Sequence, residues 1–276
     1  MNKIILVGID FSDCSINALE HAVEIARKAN AGIAMVWVNH LDYSKEIFTV
    51  EPQNIEIEVT NRFEDIVKKY KYHLHGEKID YYIKKGKVYK EICNLADELD
   101  AFVVVIGTHG SSGFEEFWIG SNANRMVSNC NKPIITIRGG VDIGVDLRKI
   151  VLPLDSTEIT RQKLPLTALL AKYFGSEIHI LGLQTTGPEN IRNIRVRTYV
   201  DQVELYLTEN EVKFKSTFID SNNITEDTIN FATEIGANLI SIMTEQETTT
   251  ANLFLGSYSS QMINHSSIPV LSIHSS

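Results

Sequence analysis

Residues 101–127 read Ala101-Phe-Val-Val-Val-Ile106, then Gly107-Thr-His-Gly-Ser-Ser-Gly-Phe-Glu-Glu-Phe-Trp-Ile-Gly-Ser121, then Asn122-Ala-Asn-Arg-Met-Val127. The apolar run has the character of a buried parallel strand, and the last segment that of a helix start. A strand that passes through glycines to a helix N-terminus is how α/β proteins hold phosphate. Glycine lets backbone approach the anion, and free N–H groups and the helix dipole favour negative charge. The spacing Gly107-x2-Gly110-x9-Gly120-Ser121 is neither GxGxxG nor GxxxxGK[ST], and the loop contains no lysine. It can hold a nucleotide, but it lacks the lysine that usually supports NTP hydrolysis.

Working outward, the chain repeats itself. Lys3-Ile-Ile-Leu-Val-Gly-Ile-Asp10 returns as Lys149-Ile-Val-Leu-Pro-Leu-Asp155, one residue shorter. Each copy continues into an amphipathic run (Ala18, Leu19, Ala22, Val23, Ala26; Leu164, Leu166, Leu170, Phe174) and then a short apolar strand, Gly32–Val38 or Ser176–Leu183. Later blocks align at a constant offset of 136 residues: Ala96–Ile106 with Ala232–Ile242, Gly120-Ser121 with Gly256-Ser257, and Lys132–Ile137 with Ile268–Ile273. The reading is a tandem duplication, with one domain at 1–138, a glycine- and aspartate-bearing linker at 139–147 and a second domain at 148–276.

Each copy alternates strand and helix, which predicts an α/β fold: two doubly wound domains, each with a five-stranded, mostly parallel sheet. Ligands bind such sheets outside the carboxyl ends of the strands, where strand order reverses. Asp10 ends the first strand and the glycine loop follows the fourth, so those strands must be neighbours; the order 3-2-1-4-5 satisfies this. The last strands, Pro133–Ile137 and Pro269–Ile273, are candidate edges, and pairing them would make an internal pseudo-dimer.

Composition bounds the functions. The chain of 276 residues is 43% hydrophobic and carries a net charge of −9 with no long basic run, which argues against a nucleic-acid partner. Lys68, Lys69, Lys71, Lys84, Lys85 and Lys87 read as solvated surface. No apolar segment reaches membrane-span length, and the N-terminal run is too brief, broken by Gly8 and Asp10, to read as a signal peptide. The three cysteines, Cys14, Cys93 and Cys130, form no CxxC pair, and reduced thiols in a cytoplasmic protein are the simplest account.

These residues resemble the universal stress protein (UspA-like) family, in its tandem two-domain form, over nearly the whole chain. The resemblance is carried by Gly107, Gly110, Gly120 and Ser121 in the pattern Gly-x2-Gly-x9-Gly-(Ser/Thr), by Lys3–Ser12, and by Cys130-Asn-Lys-Pro-Ile-Ile-Thr-Ile137. It implies a Rossmann-like fold of the adenine nucleotide α-hydrolase type, and ATP, with or without Mg2+, as cofactor. It also implies roles: Asp10 accepting hydrogen bonds from the adenosine moiety, Val38 flanking adenine, and Ile106 as an apolar wall. Backbone N–H groups at Gly107, Gly110, Gly120 and Ser121 would hold phosphate, with Asn122 beside them where the family often has Val. In the second copy Asp155, Gly256 and Ser257 survive, but Met243 and Gln246 replace the first two glycines. One working nucleotide site is therefore expected, in the first copy, with a weak or absent one in the second.

Other chemistry is less well supported. Asp10 could instead cap a helix beside Ser12 and Asp13. His109 reads as an exposed loop residue, and Thr248–Thr250 as solvated loop. His40 with His73-Leu-His75 is a weak metal signal, and no metal site is expected. Ser111, Ser112 and Cys14 have no histidine and carboxylate at triad spacing, so no catalytic residue is assigned. Trp118 and Phe117, beside Phe114, read as a loop folded onto its core, and Glu115-Glu116 as facing outward. The expected function is a nucleotide-responsive stress protein with no or slow hydrolysis, with further homodimerisation open. The rivals are an ATPase or nucleotidyl-transfer enzyme, for which Arg125 is the nearest cation, and a nucleotide-free interaction module.

Overall fold

A computed structural model of the protein describes residues 3–40, 52–74, 76–108, 121–139, 146–185, 191–245 and 257–275. The first half runs β1 (Ile4–Gly8), α1 (Asp13–Ala29), β2 (Gly32–Asn39), α2 (Pro52–Tyr70), β3 (Ile79–Lys85), α3 (Val88–Glu98), β4 (Val103–Gly107), α4 (Ser121–Asn129) and β5 (Ile134–Ile137). The second half repeats that order: β6 (Lys149–Leu154), α5 (Leu164–Phe174), β7 (Glu177–Gln184), α6 (Ile191–Glu209), β8 (Lys213–Asp220), α7 (Ile224–Glu234), β9 (Leu239–Met243), α8 (Tyr258–His265) and β10 (Val270–Ile273).

Among the described residues the strands form one ten-stranded sheet, in the order β3-β2-β1-β4-β5-β10-β9-β6-β7-β8. Each half therefore has the order 3-2-1-4-5, and its neighbours run parallel. β1 and β4 are adjacent, with Ile5 opposite Val103 and Val7 opposite Val105. The two halves meet edge to edge, because β5 and β10 pair antiparallel. Ile135 lies opposite Leu271, and these are equivalent positions of the repeat, so a local pseudo-twofold passes through that pair.

The strand side chains alternate between two apolar cores. Ile5 and Val7 face α1, α2, α5 and α6 through residues such as Leu19, Phe63, Leu170 and Val203. Leu6 faces the other way, toward Ile92, Leu95, Met126, Ala232 and Met262 of α3, α4, α7 and α8. Each core draws on both halves of the chain, so the apolar interior runs uninterrupted across the β5–β10 junction. One polar tie crosses it as well. His274 Nε2 donates to the Val127 carbonyl of α4 at 2.7 Å, while Glu245 lies 2.9 Å from its Nδ1.

The cysteines correct the sequence reading. Cys93 of α3 and Cys130, just past α4, form a disulfide with a Cα–Cα distance of 5.1 Å, and the buried Cys14 takes no part in it. Their separation of 37 residues gives no local signal; the packing of α3 on α4 brings them together. The surface lysines are solvated ion-pair partners, Lys68 with Asp65 and Lys84 with Glu98. Among the described residues no helix is long and apolar enough to cross a membrane.

Candidate functional site

At the carboxyl ends of β1, β2 and β4 a crevice of about 360 Å³ opens, within the usual size range of small-molecule sites. Its position follows from the topology. β1 sends its chain toward α1 on one face, and β4 sends its chain toward α4 on the other, leaving the gap between them. Asp10, Val38, Ile106, Gly107 and Asn122 all border this crevice. Ser121 is the first residue of α4. Gly110 and Gly120 lie outside the described residues, as do His109, Ser111, Ser112, Phe114, Glu115, Glu116, Phe117 and Trp118.

Asp10 is exposed and held by its own turn. Its Oδ1 accepts from the Ser12 backbone N–H at 3.0 Å and from the Ser12 hydroxyl at 2.6 Å. Ser12, not Asp10, is the N-cap of α1, its hydroxyl accepting from the Ser15 backbone N–H. Asp10 therefore supports the cap of α1 and at the same time lines the crevice. The turn is strained, since Phe11 sits at φ +64°, a left-handed conformation that bulky side chains rarely adopt. Packing holds it there, with the Phe11 ring 5.2 Å from Phe63 and under the Arg62 guanidinium at 5.4 Å.

Gly107 is required by closeness rather than by backbone angle. A Cβ there would lie 2.7 Å from Cys14 Sγ and 3.1 Å from the Cys14 backbone. The missing side chain lets the first turn of α1 press against the end of β4. The walls above are apolar: Val36 and Val38 from β2, Ile106 from β4, and Ala123 and Met126 from α4. Sequence reasoning missed the α3 contribution, Val88 and Ile92. Their spacing marks one helix face, but only the placement of α3 over β2 and against α4 turns that face to the crevice. Arg125 is exposed and stacks on Tyr89 with its guanidinium 5.7 Å from the ring.

The second half keeps the turn and fills the gap. Asp155 Oδ1 accepts from the Thr157 backbone N–H at 2.9 Å, and the Asp155 N–H reaches Thr160 Oγ1 at 3.3 Å, repeating the Asp10, Ser12 and Ser15 contacts. Around it, Pro153 stands at the position of Gly8, Met243 at Gly107, Thr228 at Ile92, Tyr258 at Asn122 and Lys163 at Ala18. Lys163, Met243, Tyr258 and Thr228 are all fully buried. Lys163 Nζ donates to Thr160 Oγ1 at 3.3 Å. Burial pushes its ammonium down to about 7, against the pull of the Asp155 carboxylate. The Tyr258 hydroxyl, raised by burial and by Asp155, lies beside Thr228. Side chains thus occupy the volume that is open in the first half. Gln246 and Gly256 lie outside the described residues, and Ser257 caps α8 by accepting from the Ser260 N–H at 3.3 Å.

Comparison with known proteins adds the family. The chain is 29% identical over 143 residues to universal stress protein MJ0531 of Methanocaldococcus jannaschii, covering 49% of this chain and 82% of that one. It is 26% identical over 157 residues to universal stress protein MJ0577 of the same organism, covering 50% and 96%. The fold matches the crystal structure of a universal stress protein from Archaeoglobus fulgidus with a TM-score of 0.74 at 16% identity, over 98% of both chains. The profile of the universal stress protein family matches residues 1–138 and again 147–274. Those two tandem matches take in nearly the whole sequence, and the chain belongs to the universal stress protein family.

Proposed function

We propose that the chain binds one adenine nucleotide, ATP with magnesium in the cytoplasm, in its first half, and that occupancy alters its shape or partners in a stress response. The supporting observation is the contrast between the halves. Asp10, Val38, Ile106, Gly107 and Asn122 come from separate elements to one open crevice, while their surroundings in the second half are filled. The apolar walls of that crevice suit the faces of a planar base. The Asp10 carboxylate, an acceptor at the rim of that crevice, suits a hydroxyl or amine donor of a nucleoside. The start of α4 supplies N–H groups and a positive dipole end for phosphate, with Gly110, Gly120 and Ser121 assigned to the same anion. Bound nucleotide would supply the regulatory signal. Hydrolysis is absent or slow in this reading, since the segment 107–121 contains no lysine.

The test is calorimetric titration of ATP with magnesium into nucleotide-stripped protein, beside Asp10→Ala and Gly110→Val. One site per chain, weakened at least about tenfold in each variant, is the expected result. Two equal sites would overturn the asymmetry. No heat from the wild type, with retained ligand excluded by mass spectrometry, would overturn nucleotide binding.

A further inference from the structure

The disulfide lies where it can govern the crevice. Ile92, a wall residue of α3, is followed directly by Cys93, and Met126, a wall residue of α4, is one helical turn before Cys130. The Cys130 N–H donates to the Met126 carbonyl at 2.8 Å, so the sulfur and the wall share one rigid helical turn. The stretch closed by the disulfide, whose ends are 37 positions apart, contains in sequence β4, Gly107 and the glycine segment up to Ser121. Two further contacts join the same ends, Asn131 to Asp97 at 3.1 Å and Lys132 to Asp100, and neither depends on sulfur. Breaking the S–S bond would therefore leave α3 and α4 in contact but free to move apart.

Resting on the nucleotide reading above, we propose that Cys93–Cys130 is a redox control on that crevice: the disulfide form holds the α3 and α4 walls for tight nucleotide binding, and the dithiol form binds weakly. The chemistry is thiol–disulfide exchange with a dithiol reductant. Cys93 is half-buried and Cys130 is buried, so the reductant's thiolate attacks Cys93 Sγ. The S–S bond breaks, Cys130 leaves as a thiolate and takes up a proton, and a mixed disulfide forms on Cys93. The reductant's second thiol, as thiolate, resolves it, releasing Cys93 as a thiol and an oxidised reductant. Two electrons pass to the protein with two protons. A crosslink that ties two walls of a binding crevice together removes freedom that binding would otherwise have to remove. Reduction reverses that gain.

The experiment titrates ATP with magnesium into the full chain in three forms: disulfide-bonded, reduced with a phosphine, and Cys93→Ala/Cys130→Ala. Thiol content is verified by mass spectrometry, and backbone hydrogen exchange is followed without ligand. The disulfide form is expected to bind about tenfold tighter, within the usual span of coupling between sites. The double variant should match the reduced protein and ignore the phosphine, and exchange in α3 and α4 should rise on reduction. Equal affinity in the disulfide and reduced forms, with binding intact, overturns the redox control and leaves the nucleotide site standing. A double variant that binds as tightly as the disulfide form does the same. Absence of binding in every form overturns the nucleotide reading and the control together.

Discussion

At the residue scale, one missing atom sets the geometry of the first half. A Cβ on residue 107 would collide with Cys14 through both sulfur and backbone, and the backbone cannot swing aside as a flexible side chain would. Gly107→Ala should therefore cost about 1–3 kcal/mol of stability, read as a lower urea midpoint at unchanged slope. An unchanged midpoint would mean that α1 shifts freely and that the contact is not a constraint. The glycine itself was legible in the sequence, but its reason was not. The loop pattern pointed to phosphate, whereas the structure adds a packing need that originates in a different helix. Asp10 behaves in the same way. Its place at a strand end was legible, while the strained turn at Phe11 that presents it depends on Phe63, some fifty residues away.

The element scale shows what a single replacement does to a helix. α1 begins at Asp13, directly after its Ser12 cap. α5 begins at Leu164, the counterpart of Leu19, and a 3-10 turn at Glu158–Arg161 occupies the missing first turns. Met243, fully buried, stands where Gly107 leaves room for that approach in the first half. Lys163, at the resulting N-cap of α5, is then enclosed with Asp155, Thr160 and Tyr258. A depressed ammonium makes a prediction with a definite sign. Below pH 7 the folded chain holds this proton at a penalty, because the buried site disfavours the charged form. Above pH 7 the folded chain sheds it, while the unfolded chain keeps it to about pH 10.4. Over that window the stability of the wild type relative to Lys163→Met should rise with pH, by at most about 1.4 kcal/mol per unit. Denaturant titrations at two pH values within it measure this, and a flat difference would mean that the ammonium stays charged. The loss of two glycines was readable from the sequence. The lysine and tyrosine that fill the gap were not, because each occupies an unremarkable place in an amphipathic run.

At the scale of the whole molecule, β5 and β10 make two five-stranded sheets into one of ten strands, and two cores into one on each face. The chain should therefore melt as a unit, in a single calorimetric transition. Leu271→Ala, at the centre of the pseudo-twofold and fully buried, should lower stability by about 2–5 kcal/mol and separate that transition into two. A variant that melts once, at the wild-type temperature, would show that the junction contributes little. Architecture at this scale was the most legible part of the sequence. Strand order followed from requiring Asp10 and the glycine loop to share a crevice, and the repeat supplied matching edges. The disulfide was illegible, because pairing Cys93 with Cys130 requires knowing that α3 lies against α4.

The antiparallel join has a consequence for inheritance as well as for packing. In an assembly of two identical chains every substitution is made twice, so neither site can change unless the other changes with it. Covalent fusion gives each half its own codons. The edge at Ile135 and Leu271 could stay under common constraint while Lys163 and Tyr258 entered one side only. Symmetry is kept along the β5–β10 seam and abandoned at the carboxyl end of β6, where buried side chains stand at positions that border the open crevice in the first half.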